Sequence, residues 1–186
     1  LTFGGFNSLR AMDPSPCKPF DRRRAGMSLG EGAAILILEN LEEAAKRGAE
    51  TYAEFLGYGI GGEAHHITAP ESSGRVEARI MKEAIIEGGI TPDRVDHINA
   101  HGTGTPLNDK VESLAIKHVF GKRAYSIPVS SIKSMVGHCL GSAGAIEAIA
   151  SILSIVYGFV PPTLHHQEGD EDCDLDYVPV KSREME

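Results

Sequence analysis

The sequence predicts an α/β fold built on a mostly parallel sheet. Short apolar runs that read as strands alternate with helical patterns along the chain. One arrangement occurs twice: a strand-like run, a loop of small residues holding a histidine, then a helix. It stands at 95–99 with His101 and at 127–131 with His138. Consecutive parallel strands of a βαβ unit open their following loops on one sheet edge. Both imidazoles are therefore expected at one mouth.

The elements follow in order. Residues 1–32, rich in Gly, Pro and Arg, read as a helix end and an irregular loop. The run 33–39 (Ala-Ala-Ile-Leu-Ile-Leu-Glu) is continuously apolar, as in a strand buried on both faces. A helix over 41–47 is stopped by Gly48. Residues 52–60 read as a strand, and 61–74 as a loop with His65, His66 and Pro70. An amphipathic helix over 76–87 closes on Gly88-Gly89, and Thr91-Pro92-Asp93 makes a turn. Strand 95–99, helix 109–120, strand 127–131 and helix 143–157 follow, with Pro161-Pro162 ending the last helix. In that helix Ile146, Ile149, Ala150, Ile152, Leu153, Ile155 and Val156 cover nearly the whole circumference, which predicts burial on all sides. A carboxylate on such a helix needs a partner, and Lys133 is the natural candidate for Glu147. Residues 163–186 are acidic and turn-rich, with one extended stretch at 175–180.

The 186 residues suffice for one core, or for one domain and part of another. A net charge of −8 argues against broad nucleic-acid binding. Arg10, Lys18, Arg22, Arg23 and Arg24 crowd the start of the chain; they read either as a solvated loop or as a landing patch for an acidic partner. Cys17, Cys139 and Cys173 are odd in number and lack metal-type spacing, which fits a reduced, cytoplasmic chain. The start has no signal-peptide pattern and is not Met, so a fragment or a processed chain is expected. The apolar run 144–160 falls short of the roughly 20 residues of a membrane span and carries Glu147.

Other motifs have plain readings. Gly57-x-Gly59-x-x-Gly62 matches a dinucleotide fingerprint, but a loop follows where a helix should begin, so these glycines read as turn and close-packing residues. The histidines His65-His66, His97, His101 and His165-His166 lack ligand spacing and a completing Cys, yet a metal hydrolase stays open. Cys139 beside His138 and near a helix start stays open as a nucleophile. His101, His138, Lys133 and Glu147 form the stronger set. A lysine cation lowers a nearby imidazole's pKa, and a neutral histidine can donate to an oxyanion.

The chain resembles the carboxyl-terminal half of a type II β-ketoacyl-acyl-carrier-protein synthase, of the thiolase-like condensing enzymes. The motifs are Pro19-Phe20-Asp21, Gly30-Glu31-Gly32-Ala33, Tyr58-Gly59, His66 through Pro70, Asn99 through Asp109, and Ser130 through Ser134. They continue with Gly137-His138, Gly144, Pro161-Pro162-Thr163 and Cys173 through Pro179. The resemblance implies a layered αβαβα fold, incomplete here. Residues 1–49 would end the amino-terminal half; residues 50–186 would belong to the carboxyl-terminal half without its final strands. It implies a decarboxylating Claisen condensation of malonyl-acyl-carrier-protein with an acyl thioester in fatty-acid elongation. His101 and His138 would stabilise the enolate, with Lys133 and Glu147 paired beside them. Asp109 and Glu112 would support the first histidine's loop, and Thr103 and Thr105 would line the pantetheine channel. His66 and Thr68 would lie in a gating and carrier-contact loop, and Arg10 would face the acyl carrier protein. A homodimer is implied, with no cofactor, metal, nucleic acid or membrane. The family's cysteine nucleophile has no counterpart here, so the isolated piece is expected to be inactive in condensation; the loop at 14–18 is also shorter than usual for the family. The rival readings are a non-catalytic thiolase-like partner subunit of a polyketide system and the metal hydrolase.

Overall fold

A computed structural model describes residues 1–185. Six α-helices and four short strands follow in the order α1 (Thr2–Ser8), α2 (Leu41–Lys46), α3 (Arg75–Glu87), β1 (Ile98–Asn99), α4 (Pro106–Phe120), β2 (Val129–Ser130), α5 (Lys133–Val136), α6 (Ala143–Tyr157), β3 (Phe159–Val160) and β4 (Arg183–Glu184). β1 and β2 pair in parallel, with Ile98 opposite Val129 and Asn99 opposite Ser130. β3 and β4 pair antiparallel.

The ends of the helices follow local chemistry. Asn40 caps α2 by accepting the Glu42 and Glu43 N–H groups. α4 begins at Pro106, earlier than expected, because proline fits the first helical turn, where its missing N–H costs nothing. α6 ends at Gly158, whose positive φ of 67° breaks the helix; Pro161-Pro162 lie beyond, after β3, and do not end it.

The core packs Phe20, Ala100, Ile116, Ala124, Val129, Cys173, Leu175 and Tyr177 together. Phe20 and Tyr177 stack at 4.1 Å between ring centroids. This places α4 and the 173–178 segment against the β1–β2 pair. The Val129 N–H also donates to the Asp176 carbonyl at 2.8 Å.

Three expectations fail on burial and pairing. The 33–39 run has no ladder partner among the described residues, and Ile35 and Ile37 are 88% and 87% exposed. Residues 52–60 are likewise outside any ladder. α6 is not buried on all sides: Ile155 is 61% and Tyr157 70% exposed. These surfaces meet in one groove of about 740 Å³, lined by Ile35, Ile37, Tyr52, Phe55, Ile152 and Val156 among others. Apolar composition promises burial only where another layer lies against it, and no described residue forms that layer. The 18 residues Leu140–Tyr157, with mean hydropathy 1.6, also have the length and composition to cross a membrane, contrary to the expectation from 144–160.

Two of the three motif glycines pack as expected, whereas a Cβ on Gly62 would meet nothing within 4 Å. A Cβ on Gly57 would stand 2.6 Å from the Ala84 carbonyl oxygen, and Gly59 lies directly against the Ile80 carbonyl. The glycines thus let the extended 52–60 segment lie against the backbone of α3.

Candidate functional site

The parallel β1–β2 pair sends both strand ends into loops at one edge, and the two histidines meet there. The rings of His101 and His138 lie 5.3 Å apart between centroids, edge to face at 85°. Lys133, at the start of α5, is 2% exposed and forms an ion pair with Glu147 on α6. Its Nζ also donates to the His101 carbonyl oxygen at 2.6 Å and lies 3.3 Å from His101 Nδ1.

These contacts fix the tautomers. An ammonium can only donate, so His101 Nδ1 accepts and its proton sits on Nε2. His138 Nδ1 accepts from the Leu140 N–H at 3.1 Å, which leaves its proton on Nε2 as well. The His101 ring is open to solvent on one side, while crowding by protein on its other sides, the Lys133 charge and His138 hold its pKa at about 4. Burial and Lys133 lower His138 in the same direction. Near neutral pH the site therefore presents two uncharged imidazoles, each with an N–H to donate.

The supporting carboxylates grip backbone. Glu112 accepts from the His101 and Gly102 N–H groups at 2.6 and 2.8 Å, and burial raises its pKa to about 7. Asp109, fully buried, accepts from the Phe20 and Gly104 N–H groups at 2.7 and 3.2 Å; burial raises it to about 6. Thr103 and Thr105 share a hydroxyl hydrogen bond of 2.8 Å on the same loop.

The remaining candidates lie apart from this cluster. His66 and Thr68 sit on an exposed loop, where His66 Nδ1 accepts from the Thr68 and Ala69 N–H groups at 3.2 Å. No hydrogen bond or ring contact joins them to His101 or His138 among the described residues. Arg10 is exposed and has no ion-pair partner among the described residues. Lys18, Arg23 and Arg24 instead bind the internal carboxylates Asp13, Asp21 and Asp170, so most of the basic crowd is structural.

All three cysteines are free. Burial raises the Cys17 thiol and lifts that of Cys173 to about 11, the reverse of nucleophile activation. Cys139 Sγ faces the Val136 carbonyl at 3.7 Å. Among the described residues, no group of three or more His, Cys, Asp or Glu side chains could hold a metal ion.

Sequence reasoning missed several supports. Ser131 Oγ donates to the Gly102 carbonyl at 2.7 Å, and Asn99 Nδ2 donates to the Glu147 carbonyl at 2.9 Å. Asp21 ties the chain start to the 167–168 turn by accepting from the Gln167 and Glu168 N–H groups at 2.6 and 2.8 Å. Burial opposes its charge, but these bonds and those from Arg23 prevail and hold its carboxyl well below the usual range. The Ser130-Ser131 pair at a strand end, just before Lys133, is the one signal that could have pointed to the serine.

Comparison with known proteins gives consistent matches. The family model "Beta-ketoacyl synthase, C-terminal domain" matches residues 52–167, and "Beta-ketoacyl synthase, N-terminal domain" matches residues 1–44. The chain is 47% identical over its whole length to 3-oxoacyl-acyl-carrier-protein synthase 2 of Coxiella burnetii, covering 46% of that protein. It is 44% identical to a putative polyketide beta-ketoacyl synthase 1 of Streptomyces halstedii, again covering 46% of it. The chain thus spans about half the length of these relatives. Among solved structures, a type II polyketide acyl-carrier protein in complex with its ketosynthase matches with a TM-score of 0.96 at 41% identity, covering 99% of this chain and 47% of that one. A beta-ketoacyl synthase from Burkholderia phymatum matches with a TM-score of 0.92 at 38% identity, covering 99% and 46%.

Proposed function

The chain belongs to the β-ketoacyl synthase family and has its thiolase-like fold, and from that premise we propose that it serves a decarboxylating Claisen condensation in fatty-acid elongation. Malonyl-acyl-carrier-protein loses carbon dioxide, and the electron pair of the broken C–C bond passes to the thioester oxygen as an enolate. The enolate carbon then attacks an acyl thioester, forming a C–C bond and releasing the thiolate. His101 and His138 donate their Nε2–H groups to the enolate oxygen. Lys133, held by Glu147, keeps His101 neutral and oriented, and Asp109 and Glu112 hold its loop. Thr103 and Thr105 line the approach of the pantetheine arm, His66 and Thr68 belong to a loop over that approach, and Arg10 meets the acidic carrier protein. The protein works in the cytoplasm as a homodimer, with residues 1–49 and 50–186 assigned to the two thiolase-like halves.

The observation that carries this reading is the pair of neutral, Nε2-protonated imidazoles 5.3 Å apart. The full-length gene product, given malonyl- and acyl-carrier-protein, should release carbon dioxide and form the 3-oxoacyl product. His101→Ala and His138→Ala should each lower the rate at least a hundredfold, as loss of an oxyanion donor does. Unchanged rates in both variants would overturn the reading. Polyketide duty is the second reading, supported by the 44% identity to the Streptomyces relative. Repeated extension of one starter, rather than a single elongation, would favour it.

A further inference from the structure

The backbone of His101 and Gly102 is held entirely by side chains. Glu112 takes both N–H groups, Lys133 Nζ holds the His101 carbonyl, and Ser131 Oγ holds the Gly102 carbonyl at 2.7 Å. No backbone–backbone hydrogen bond reaches either residue among the described residues. Ser131 is the uncharged member of this clamp, and it is fully buried.

Ser131 is itself fixed on its other sides. Its N–H donates to Thr163 Oγ1 at 3.1 Å, and its carbonyl accepts from Ser134 Oγ at 2.8 Å. The Ser134 hydroxyl in turn accepts from the Leu164 N–H at 2.8 Å. The clamp is also tight. Gly102 has φ +40°, and a Cβ there would stand 2.5 Å from Ser131 Cβ and 2.9 Å from the Phe20 ring. Ser131 leads directly into the segment that carries Lys133 and His138. Its hydroxyl is thus a direct strut between the two histidine loops.

We propose that Ser131 is a positioning residue whose hydroxyl sets the pose of the His101 imidazole relative to His138. The kinetic consequence rests on the condensation reading above; the geometric one does not. A donor removed from a buried, already fixed carbonyl frees the Gly102 peptide to rotate, and His101 turns with it.

The test uses Ser131→Ala and Ser131→Cys in the full-length gene product. Cysteine keeps the shape with a weaker donor. Expected for the alanine variant is a kcat about tenfold lower, with KM for the malonyl thioester within about twofold. By NMR, the His101 ring resonances shift while those of His118, which bonds the Ser73 carbonyl away from this clamp, do not, and the cysteine variant falls between. An unmoved His101 resonance in both variants overturns the proposal, as does a lower melting temperature with unchanged kcat per folded molecule. If the alanine variant does not fold, the cysteine variant decides by the same two readouts. The NMR arm needs no substrate. A wild-type protein that releases no carbon dioxide therefore overturns the functional reading, while the His101 resonance still judges Ser131.

Discussion

Replacing Lys133 by Met tests the electrostatic centre of the site. The lysine side chain is 1% exposed and that of its partner Glu147 is 18% exposed. Deleting one member of a buried ion pair costs about 3–5 kcal/mol, because the other charge stays behind without compensation. Water reaches Glu147, so the cost should lie at the low end, about 3 kcal/mol. That is a large share of the roughly 5–15 kcal/mol that holds a domain together. Equilibrium urea unfolding should show a lower midpoint with an unchanged slope. Adding Glu147→Gln should restore more than about 1 kcal/mol, since a neutral amide needs no counter-charge. Lys133→Met also removes the cation that helps depress both imidazoles, so His101 and His138 should titrate closer to the ordinary histidine range. Burial persists, and the recovery should be partial. A Lys133→Met protein within about 0.5 kcal/mol of wild type, with unmoved histidine titrations, would refute the reasoning.

Further outcomes follow from single contacts. Gly102→Ala forces a Cβ against Ser131 and Phe20 at φ +40°, and should cost about 1–3 kcal/mol in chemical denaturation while displacing the His101 resonances. Gly59→Val drives a side chain into the Ile80 carbonyl and should peel the 52–60 segment from α3, seen as faster amide exchange in α3; unchanged exchange would mean that the glycines do not set this approach. His97, half-buried on the edge of β1, is depressed by burial from 6.5 to about 4. The unfolded chain then binds a proton that the folded one refuses, so stability present above pH 6.5 is lost as pH falls toward 4, by on the order of 3 kcal/mol. Comparison with His97→Gln isolates this loss, because Asp109 and Glu112, whose pKa values are raised, act in the opposite sense in the same window and are common to both proteins. A stability difference between the two proteins that does not change with pH would refute it. Asn40→Ala removes the cap of α2 and should lower helicity there at a cost of about 1 kcal/mol, read by circular dichroism and denaturation.

Much of the fold was legible where the signal is local. Helical periodicity and punctuation by Pro and Gly placed α2, α3, α4 and α6, with α4 starting earlier than expected. The repeated strand–histidine–helix pattern anticipated the parallel β1–β2 pair and the meeting of the two imidazoles. The Lys133–Glu147 pair was legible from charge arithmetic alone: a carboxylate on an apolar helix must find a cation. The run 33–39 was misjudged because strand pairing and burial depend on neighbours that no periodicity encodes. Ser131, Asn99 and Asp21 all lie in motifs of the resemblance, but what each of them holds was illegible for another reason. A serine, asparagine or aspartate has ordinary loop chemistry in a sequence, and only three-dimensional proximity shows whose carbonyl or N–H it holds.

The register of a two-residue ladder sets the whole site. With Asn99 opposite Ser130, the Ala100 N–H closes on the Ser130 carbonyl at 2.8 Å, and the chains part immediately afterwards. His101 then stands one residue beyond that bond on one side, and Ser131 one residue beyond it on the other. From there the serine hydroxyl reaches the Gly102 carbonyl, and the lysine two residues later reaches the His101 carbonyl. A slip of one residue would turn each of these side chains to the opposite face of the sheet. The apolar pair of partly buried Ile98 and buried Val129 therefore does more than pack the core: by fixing which residues face each other, it decides that the groups leaving the sheet are a histidine and the side chains able to hold it.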